Sequence, residues 1–197
     1  MPKLDFNNAI ILENNRTLLT PLKLTDIHVL EKIAYYDTDL LKYSPSEIKT
    51  GEKLEKYINS ALDAKAAKNR YPFLIYDKKQ GAFAGSTSFG NVSNNDLRLE
   101  IGWTWIGYQF QKTGLNKAVK QLLLTYAFDT LDFERVELKT DSRNLQSRRA
   151  MEKIGATFEG ELRSHTLMPD GFRRNTVYYS ILKNEWLRLK KTTFKDD

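Results

Sequence analysis

The chain has 197 residues, of which 41% are hydrophobic and 28% are charged, and its formal net charge is +6. These values predict one soluble globular domain over residues 1–197, with a sizeable core. The absence of cysteine excludes disulfides, thiolate metal sites and a cysteine nucleophile. Since the two histidines, His28 and His165, are far apart in the sequence, a catalytic metal is not expected.

The N-terminal residues lack the basic segment and apolar run of a signal peptide, and no stretch is long enough to span a membrane. A cytoplasmic protein without a membrane partner is therefore expected. The positive charge favours acidic partners, such as nucleic acid or a phosphorylated small molecule. Because the basic residues are scattered and no nucleic-acid fold pattern occurs, a nucleic-acid-binding module is the less favoured alternative.

The first half of the chain predicts strands, then two helices, then a sheet. One or two strands cover residues 10–24. The apolar spacing predicts a helix through Ile27 to Ala34, and Thr50 caps a second helix with Leu54 on its apolar face. Turn residues then separate the three strands of an antiparallel meander, at 73–76, 82–89 and 97–105.

The second half predicts a parallel strand and a final hairpin. A helix from Leu115 leads to a strand at 135–140, which is expected to run parallel to strand 97–105 because a helix connects them. Asn144 begins another helix, which Gly155 ends. Two strands, at 157–168 and 174–182, and a C-terminal helix with Trp186, Leu187 and Leu189 packed inward complete the chain. The predicted class is α+β (mixed α/β), with a central mixed sheet of about seven strands and flanking helices.

A basic glycine turn, Gln111 to Asn116, joins the alternating strand to the amphipathic helix. Gly114 permits a sharp turn that presents consecutive N–H groups, and the first turn of a helix carries unpaired N–H donors. Such a turn suits an anion such as a pyrophosphate, and Lys112 and Lys117 would add positive charge. Taken alone, a single glycine between a strand and a helix is more often a plain connection.

Two stretches of the sequence resemble the GNAT superfamily of N-acetyltransferases. Gln111 to Asn116 is similar to the family's Gln/Arg-x-x-Gly-x-Gly/Ala loop, which binds the pyrophosphate of coenzyme A. Asn144 to Ser147 is similar to the family's Asn-x-x-Ser/Ala helix start. The Pro169-Asp170-Gly171 turn is similar to the RimJ/RimL-like branch, which acetylates N-terminal α-amines or small amines. Two positions depart from the family: Asn116 replaces Gly or Ala, and Met151 stands where many members have a tyrosine acid.

The resemblance implies an acetyl-CoA-dependent N-acetyltransferase that acts on a primary amine: a protein N-terminal α-amine, an amino acid or a small amine. Gly102 in mid-strand predicts a bulge, which would free the following N–H groups for the thioester and the pantetheine amides. Asn144 would hold the pantetheine arm or simply cap its helix. The implied coenzyme A contacts are Trp103, Thr104, Trp105, Ile106, Gln111, Lys112, Thr113, Gly114, Leu115, Asn116, Asn144 and Ser147.

Acetyl transfer requires a base for the amine and a proton for the leaving thiolate. Glu100, on the polar face of strand 97–105, is the predicted base, and its alternative role is a surface carboxylate paired with Arg98. Ser147 is the predicted acid. His165 is either a second base or a satisfied strand side chain. The departures at Asn116 and Met151 leave open a non-catalytic acyl-CoA sensor, and the resemblance also makes a homodimer an expectation.

Overall fold

The computed structural model describes residues 3–36 and 39–195, which form a mixed sheet with helices on both faces. The strands are β1 (Leu12–Glu13), β2 (Thr17–Pro21), β3 (Arg70–Asp77), β4 (Ala82–Ser93), β5 (Arg98–Ile106), β6 (Arg135–Asp141), β7 (Thr157–Leu167) and β8 (Arg173–Leu182). The helices are α1 (Ile27–Ala34), α2 (Gly51–Ala66), α3 (Leu115–Thr125), α4 (Leu145–Lys153) and α5 (Lys183–Thr192). A π-helical turn, Tyr126–Thr130, extends α3.

The sheet has the order β1-β2-β3-β4-β5-β6-β8-β7. The predicted meander is confirmed, because β3, β4 and β5 pair antiparallel in sequence, and β6 runs parallel to β5 as expected. The sheet has eight strands among the described residues, against about seven predicted, because the two-residue β1 pairs with β2 through Leu12 and Leu19. The predicted mixed α/β class is therefore confirmed.

Two cores lie on opposite faces of the sheet, because successive residues of β3 point in opposite directions. Phe73 and Ile75 belong to the larger core, which includes residues of α3, α4 and α5. Leu74 belongs to the smaller core, which includes residues of α1 and α2. The Thr50 cap of α2 is confirmed, since its hydroxyl accepts a hydrogen bond from the Lys53 N–H at 3.3 Å.

The inward face of α5 was partly mispredicted. Trp186 and Leu189 are 2% exposed, as predicted, but Leu187 is 67% exposed. Residues three apart share one face of a helix, so Trp186 and Leu189 form the buried stripe and Leu187 points away from it. Within the ranges described above, no helix has the length and apolar character needed to cross a membrane.

The parallel pair β5 and β6 separates after a short stretch of pairing. Arg98 to Glu100 pair with Arg135 to Glu137, and no further pair between these strands occurs among the described residues. β5 continues to Ile106 with β4 on its other side. The edge of β5 from Ile101 onward is therefore left without a strand partner, and this gap defines the place where a ligand can reach the β5 backbone.

Candidate active site

The glycine turn before α3 has the backbone shape that the sequence predicted. Gly114, the residue before the helix, has φ 89°, and Lys112 has φ 60°, both in the left-handed region. No atom lies within 4 Å of the position that a Gly114 Cβ would occupy. The N–H groups of Lys112, Thr113, Gly114, Asn116 and Lys117 find no hydrogen-bond acceptor within the described parts of the chain. The turn is therefore an open cluster of donors at the start of a helix.

Side chains of the same turn hold its shape. Gln111 Nε2 donates to the Ile106 carbonyl at 3.0 Å, and Gln111 Oε1 accepts from Gln146 of α4, also at 3.0 Å. The Thr113 hydroxyl donates to the Phe110 carbonyl at 2.7 Å. Because these side chains are occupied within the protein, the donors left for a ligand are mainly those of the backbone.

Arg16 is a cation at this turn that sequence reasoning missed. Its guanidinium Nη2 donates to the Thr113 hydroxyl at 3.3 Å and to the carboxylate of Asp77 at 2.9 Å. Asp77 is fully buried, so Arg16 is held firmly beside the turn. No local pattern could have indicated it, since 97 positions separate Arg16 from Thr113.

Two of the predicted ligand residues of this turn, Leu115 and Asn116, are at least partly buried. Leu115 is fully buried in the larger core, and its N–H lies 3.4 Å from the Thr113 hydroxyl. Asn116 Oδ1 is buried and has no hydrogen-bond partner among the described residues. Asn116 therefore carries an unpaired acceptor inside the first turn of α3.

The predicted irregularity at Gly102 is confirmed by the pairing of β4 with β5. Ser88 lies opposite Gly102 and Ser86 lies opposite Trp105, so β5 has one extra residue between these pairs. Trp103 has φ 50° at this bulge. The bulge lies in the segment of β5 that faces the gap.

The side chains of the bulge pack within the protein. Trp103 covers Gly90, and the Arg70 guanidinium lies 4.8 Å from the centre of one Trp103 ring. Trp105 is 3% exposed and Ile106 is 8% exposed, so both belong to the cores. Any contact that these residues make with a ligand would thus use the β5 backbone.

Glu100 is buried, not a surface carboxylate. It is 3% exposed, and its Oε2 accepts hydrogen bonds from Lys139 Nζ at 2.8 Å and from Asn91 Nδ2 at 2.6 Å. The alternative pairing with Arg98 is wrong, because Arg98 lies next to Asp96, at 3.6 Å. Lys139 comes from β6, so Glu100 connects the two strands at the point where they separate.

Gly102 also has a steric role beside Glu100. A Cβ at Gly102 would lie 2.6 Å from Glu100 Oε1. We expect Gly102→Ala to displace this carboxylate and to lower kcat about 10-fold or more, since a 1 Å misplacement of a reacting group can cost about 100-fold. Steady-state kinetics measure the change in kcat, and the unfolding midpoint shows whether the variant is still folded. Unchanged kcat in a folded G102A protein would contradict the positioning role.

The start of α4 lies beside the glycine turn through the Gln146–Gln111 hydrogen bond. Asn144 Oδ1 accepts from the Ser147 N–H at 3.1 Å, which confirms the helix-cap interpretation of Asn144. Ser147 is half-buried in the first turn of α4. Met151, in place of the family's tyrosine, is 8% exposed and packs in the larger core.

His165 is exposed, and its Nδ1 lies 3.1 Å from the Thr176 hydroxyl. A hydroxyl partner favours the interpretation of His165 as a satisfied strand side chain. Among the residues that the structure describes, no group of three or more Asp, Glu or His side chains is placed to hold a metal ion.

Lys120 is the second residue of the site that sequence reasoning missed. It is 7% exposed, and its Nζ donates to the Thr104 hydroxyl at 3.0 Å. The signal was present in the sequence, because Lys120 recurs with Leu123, Leu124 and Ala127 at the spacing of a buried helix stripe.

Comparisons with known proteins agree with this geometry. The acetyltransferase (GNAT) domain family matches residues 16–157, which include β5, the glycine turn, α3 and α4. YdaF of Bacillus subtilis (strain 168), named provisionally as a ribosomal N-acetyltransferase, is 37% identical over 113 residues. That match covers 57% of this chain and 59% of YdaF.

Solved structures share the whole architecture. A structure from T. thermophilus, described provisionally as an acetyltransferase, is 32% identical, with a TM-score of 0.84 over 93% of this chain and 95% of that chain. RimJ of Mycobacterium smegmatis, solved with CoA-disulfide, is 20% identical, with a TM-score of 0.74 over 90% of this chain and 88% of its own. The second likeness concerns the fold alone. The chain therefore belongs to the acetyltransferase (GNAT) family and is an acetyltransferase enzyme.

Proposed function

We propose that the protein transfers the acetyl group of acetyl-CoA to a primary amine in a ternary complex, with Glu100 as the base. The observation that carries this proposal is the gap between β5 and β6, which opens directly after the buried Glu100. The glycine turn lies further along the same chain segment, after β5 ends at Ile106. One continuous stretch can thus hold both ends of a long donor molecule.

The donor-binding residues fit coenzyme A by their chemistry. The unpaired N–H groups around Gly114 lie at the positive end of α3, where a pyrophosphate is stabilised. The open space at Gly114 lets phosphate oxygens approach, and Arg16, which is paired with Asp77, adds guanidinium N–H donors beside the turn. The unpartnered edge of β5, from Trp103 to Ile106, offers backbone groups to the pantetheine amides and to the thioester carbonyl.

In this proposal, Glu100 is the residue that removes the proton of the acceptor amine. Bound acetyl-CoA supplies an acetyl group activated as a thioester. Glu100, directly or through a water, takes the proton from the amine as the new C–N bond forms. Lys139 and Asn91 hold its Oε2, which leaves the carboxylate oriented by two donors. Ser147, at the start of α4, is the proton donor that the sequence suggested for the sulfur.

An α-amine or a small amine is the acceptor we favour. An α-amine has a pKa of about 7.7 to 8.0, whereas a lysine side chain has one of about 10.4, so a much larger fraction of the α-amine is neutral at pH 7. A carboxylate base then has to remove a proton only after attack begins. The provisional naming of YdaF as a ribosomal N-acetyltransferase supports an amine of the ribosome as one such acceptor.

Release of free thiol from acetyl-CoA with a panel of amines tests this function. The panel should contain peptides with a free N-terminus, the same peptides with that terminus acetylated and a free lysine, single amino acids and small amines. We expect turnover with free α-amines or small amines and little with the lysine-only peptides. Binding of acetyl-CoA without turnover of any amine would favour the sensor, and the absence of thermal stabilisation by acetyl-CoA would exclude both roles.

A further inference from the structure

Lys120 is a buried cation that the proposed chemistry has not used. Its side chain leaves α3 on the buried stripe and points into the sheet, where its Nζ lies 3.0 Å from the Thr104 hydroxyl oxygen. Thr104 belongs to the β5 bulge and is half-buried, at the edge that lacks a strand partner. Lys120 therefore connects the helix that follows the glycine turn to the part of β5 that faces the gap.

One arrangement of the hydrogen bonds around Thr104 leaves its hydroxyl hydrogen available to a ligand. In its charged form Lys120 has three N–H donors and no acceptor, so Thr104 Oγ1 accepts from it in that form. The Thr87 hydroxyl lies 2.8 Å from Thr104 Oγ1 and can also donate to it. The remaining contact of Thr104, with the Gly102 carbonyl, is 3.5 Å long, beyond the normal range for an O–H donor. When Lys120 and Thr87 both donate to Thr104 Oγ1, the hydrogen of the Thr104 hydroxyl has no short acceptor among the described residues and is available to a ligand.

The environment of Lys120 suits proton transfer near neutral pH. Burial lowers the pKa of Lys120 to about 7, although the negative charge of Glu100 opposes this shift. The hydrogen bond of Lys120 is with the neutral hydroxyl of Thr104. A thiol has a pKa of about 8.5, so an ammonium group with a pKa near 7 can protonate a thiolate. Both protonation states of Lys120 are populated at neutral pH.

We propose that Lys120, acting through the hydroxyl of Thr104 and in place of Ser147, supplies the proton that the sulfur of coenzyme A takes up when the acetyl group is transferred. This role rests on the proposed function. The amine nitrogen bonds to the carbonyl carbon, and the C–S bond breaks with its electron pair on sulfur. Sulfur takes the hydrogen of Thr104, and Thr104 takes one from Lys120. Glu100 has meanwhile accepted the amine's proton, so the enzyme returns to its starting state when Glu100 releases a proton to solvent and Lys120 takes one up.

The variants Lys120→Met and Thr104→Val test this role. Each removes one member of the relay with little change in volume, and we expect each to lower kcat roughly 100-fold, the lower end for general acid catalysis. The double variant should be no slower than the worse single variant, because the two groups act in one path. Lys56→Met, on the exposed face of α2, is the matched control and should retain wild-type kcat.

The pH profile separates this role from a structural one. The ammonium form decreases as the pH rises through about 7, so kcat of the wild type should carry a falling alkaline limb that K120M lacks. A second readout does not need turnover. In the free enzyme, NMR titration of the lysine side chains should show one lysine with a pKa near 7, and that signal should be missing from K120M.

The outcomes are distinct. A K120M protein that folds and keeps kcat within about threefold of wild type would overturn the proposal, as would a persistent alkaline limb or fully additive losses in the double variant. A large loss of kcat in Ser147→Ala, without a loss in K120M or Thr104→Val, would show that Ser147 of α4 donates the proton instead. If the wild type itself turns over no amine, the proposed function fails first, and the NMR titration still reports on the buried lysine.

Discussion

Glu100→Gln is expected to lower kcat/KM by roughly 10²- to 10⁴-fold, the range for loss of a general base. The amide keeps an oxygen that can accept from Lys139 and Asn91, which donate to Glu100 Oε2 at 2.8 and 2.6 Å, so the variant should remain folded. What it loses is the ability to take a proton. Initial rates at several pH values, with acetyl-CoA and the best amine, measure the effect.

The control for this variant is Glu137→Gln. Glu137 lies directly opposite Glu100 in the parallel pair, but its carboxylate pairs with Arg135 at 2.9 Å. We expect E137Q to keep kcat/KM within about threefold of wild type, since the amide oxygen of the variant can still accept from Arg135. A Glu100→Gln protein with the full rate across the pH range would remove the base assignment.

Gly85→Ala is expected to destabilise the protein by about 2–4 kcal/mol, because backbone strain and overpacking act together. Gly85 has φ 148°, and a Cβ there would lie 2.0 Å from the carbonyl oxygen of Trp105. This contact is between β4 and β5, next to the bulge, so the two strands must move apart. The unfolding midpoint in denaturant should fall, and the Michaelis constant for acetyl-CoA should rise because the β5 edge moves with it.

Gly160→Ala is the matched control for Gly85→Ala. Gly160 also lies at an irregularity in a strand pair, between β7 and β8, but no atom lies within 4 Å of the position that a Cβ would occupy there. The free energy of unfolding of this variant should change by no more than about 0.5 kcal/mol. Equal losses of unfolding free energy in the two variants would contradict the view that Gly85 is required for the close approach of β4 and β5.

Local patterns predicted most of the fold because its elements carry their own periodicity. The alternation in β5, the apolar stripe of α3 and the Thr50 cap all act within a few residues. The unpaired N–H groups at the start of α3 could be predicted from Gly114 in the same way, since they depend only on the backbone angles of nearby residues.

The environment of the predicted base could not be read from local patterns. Glu100 alternates with buried neighbours, which predicts an exposed face, yet Lys139 covers it from a strand 39 positions later. Arg16 reaches the glycine turn across 97 positions, so its contact depends on tertiary packing alone. Lys120 was different, because a lysine on a stripe with Leu123 and Leu124 was visible in the sequence.

A crystal structure of the protein with coenzyme A tests the central claim most directly. We expect the pyrophosphate to accept hydrogen bonds from the N–H groups around Gly114, and the sulfur to lie in the gap between β5 and β6, near Glu100 and Thr104. Coenzyme A bound away from the glycine turn, or with its sulfur outside that gap, would contradict the proposed site and the relay through Lys120.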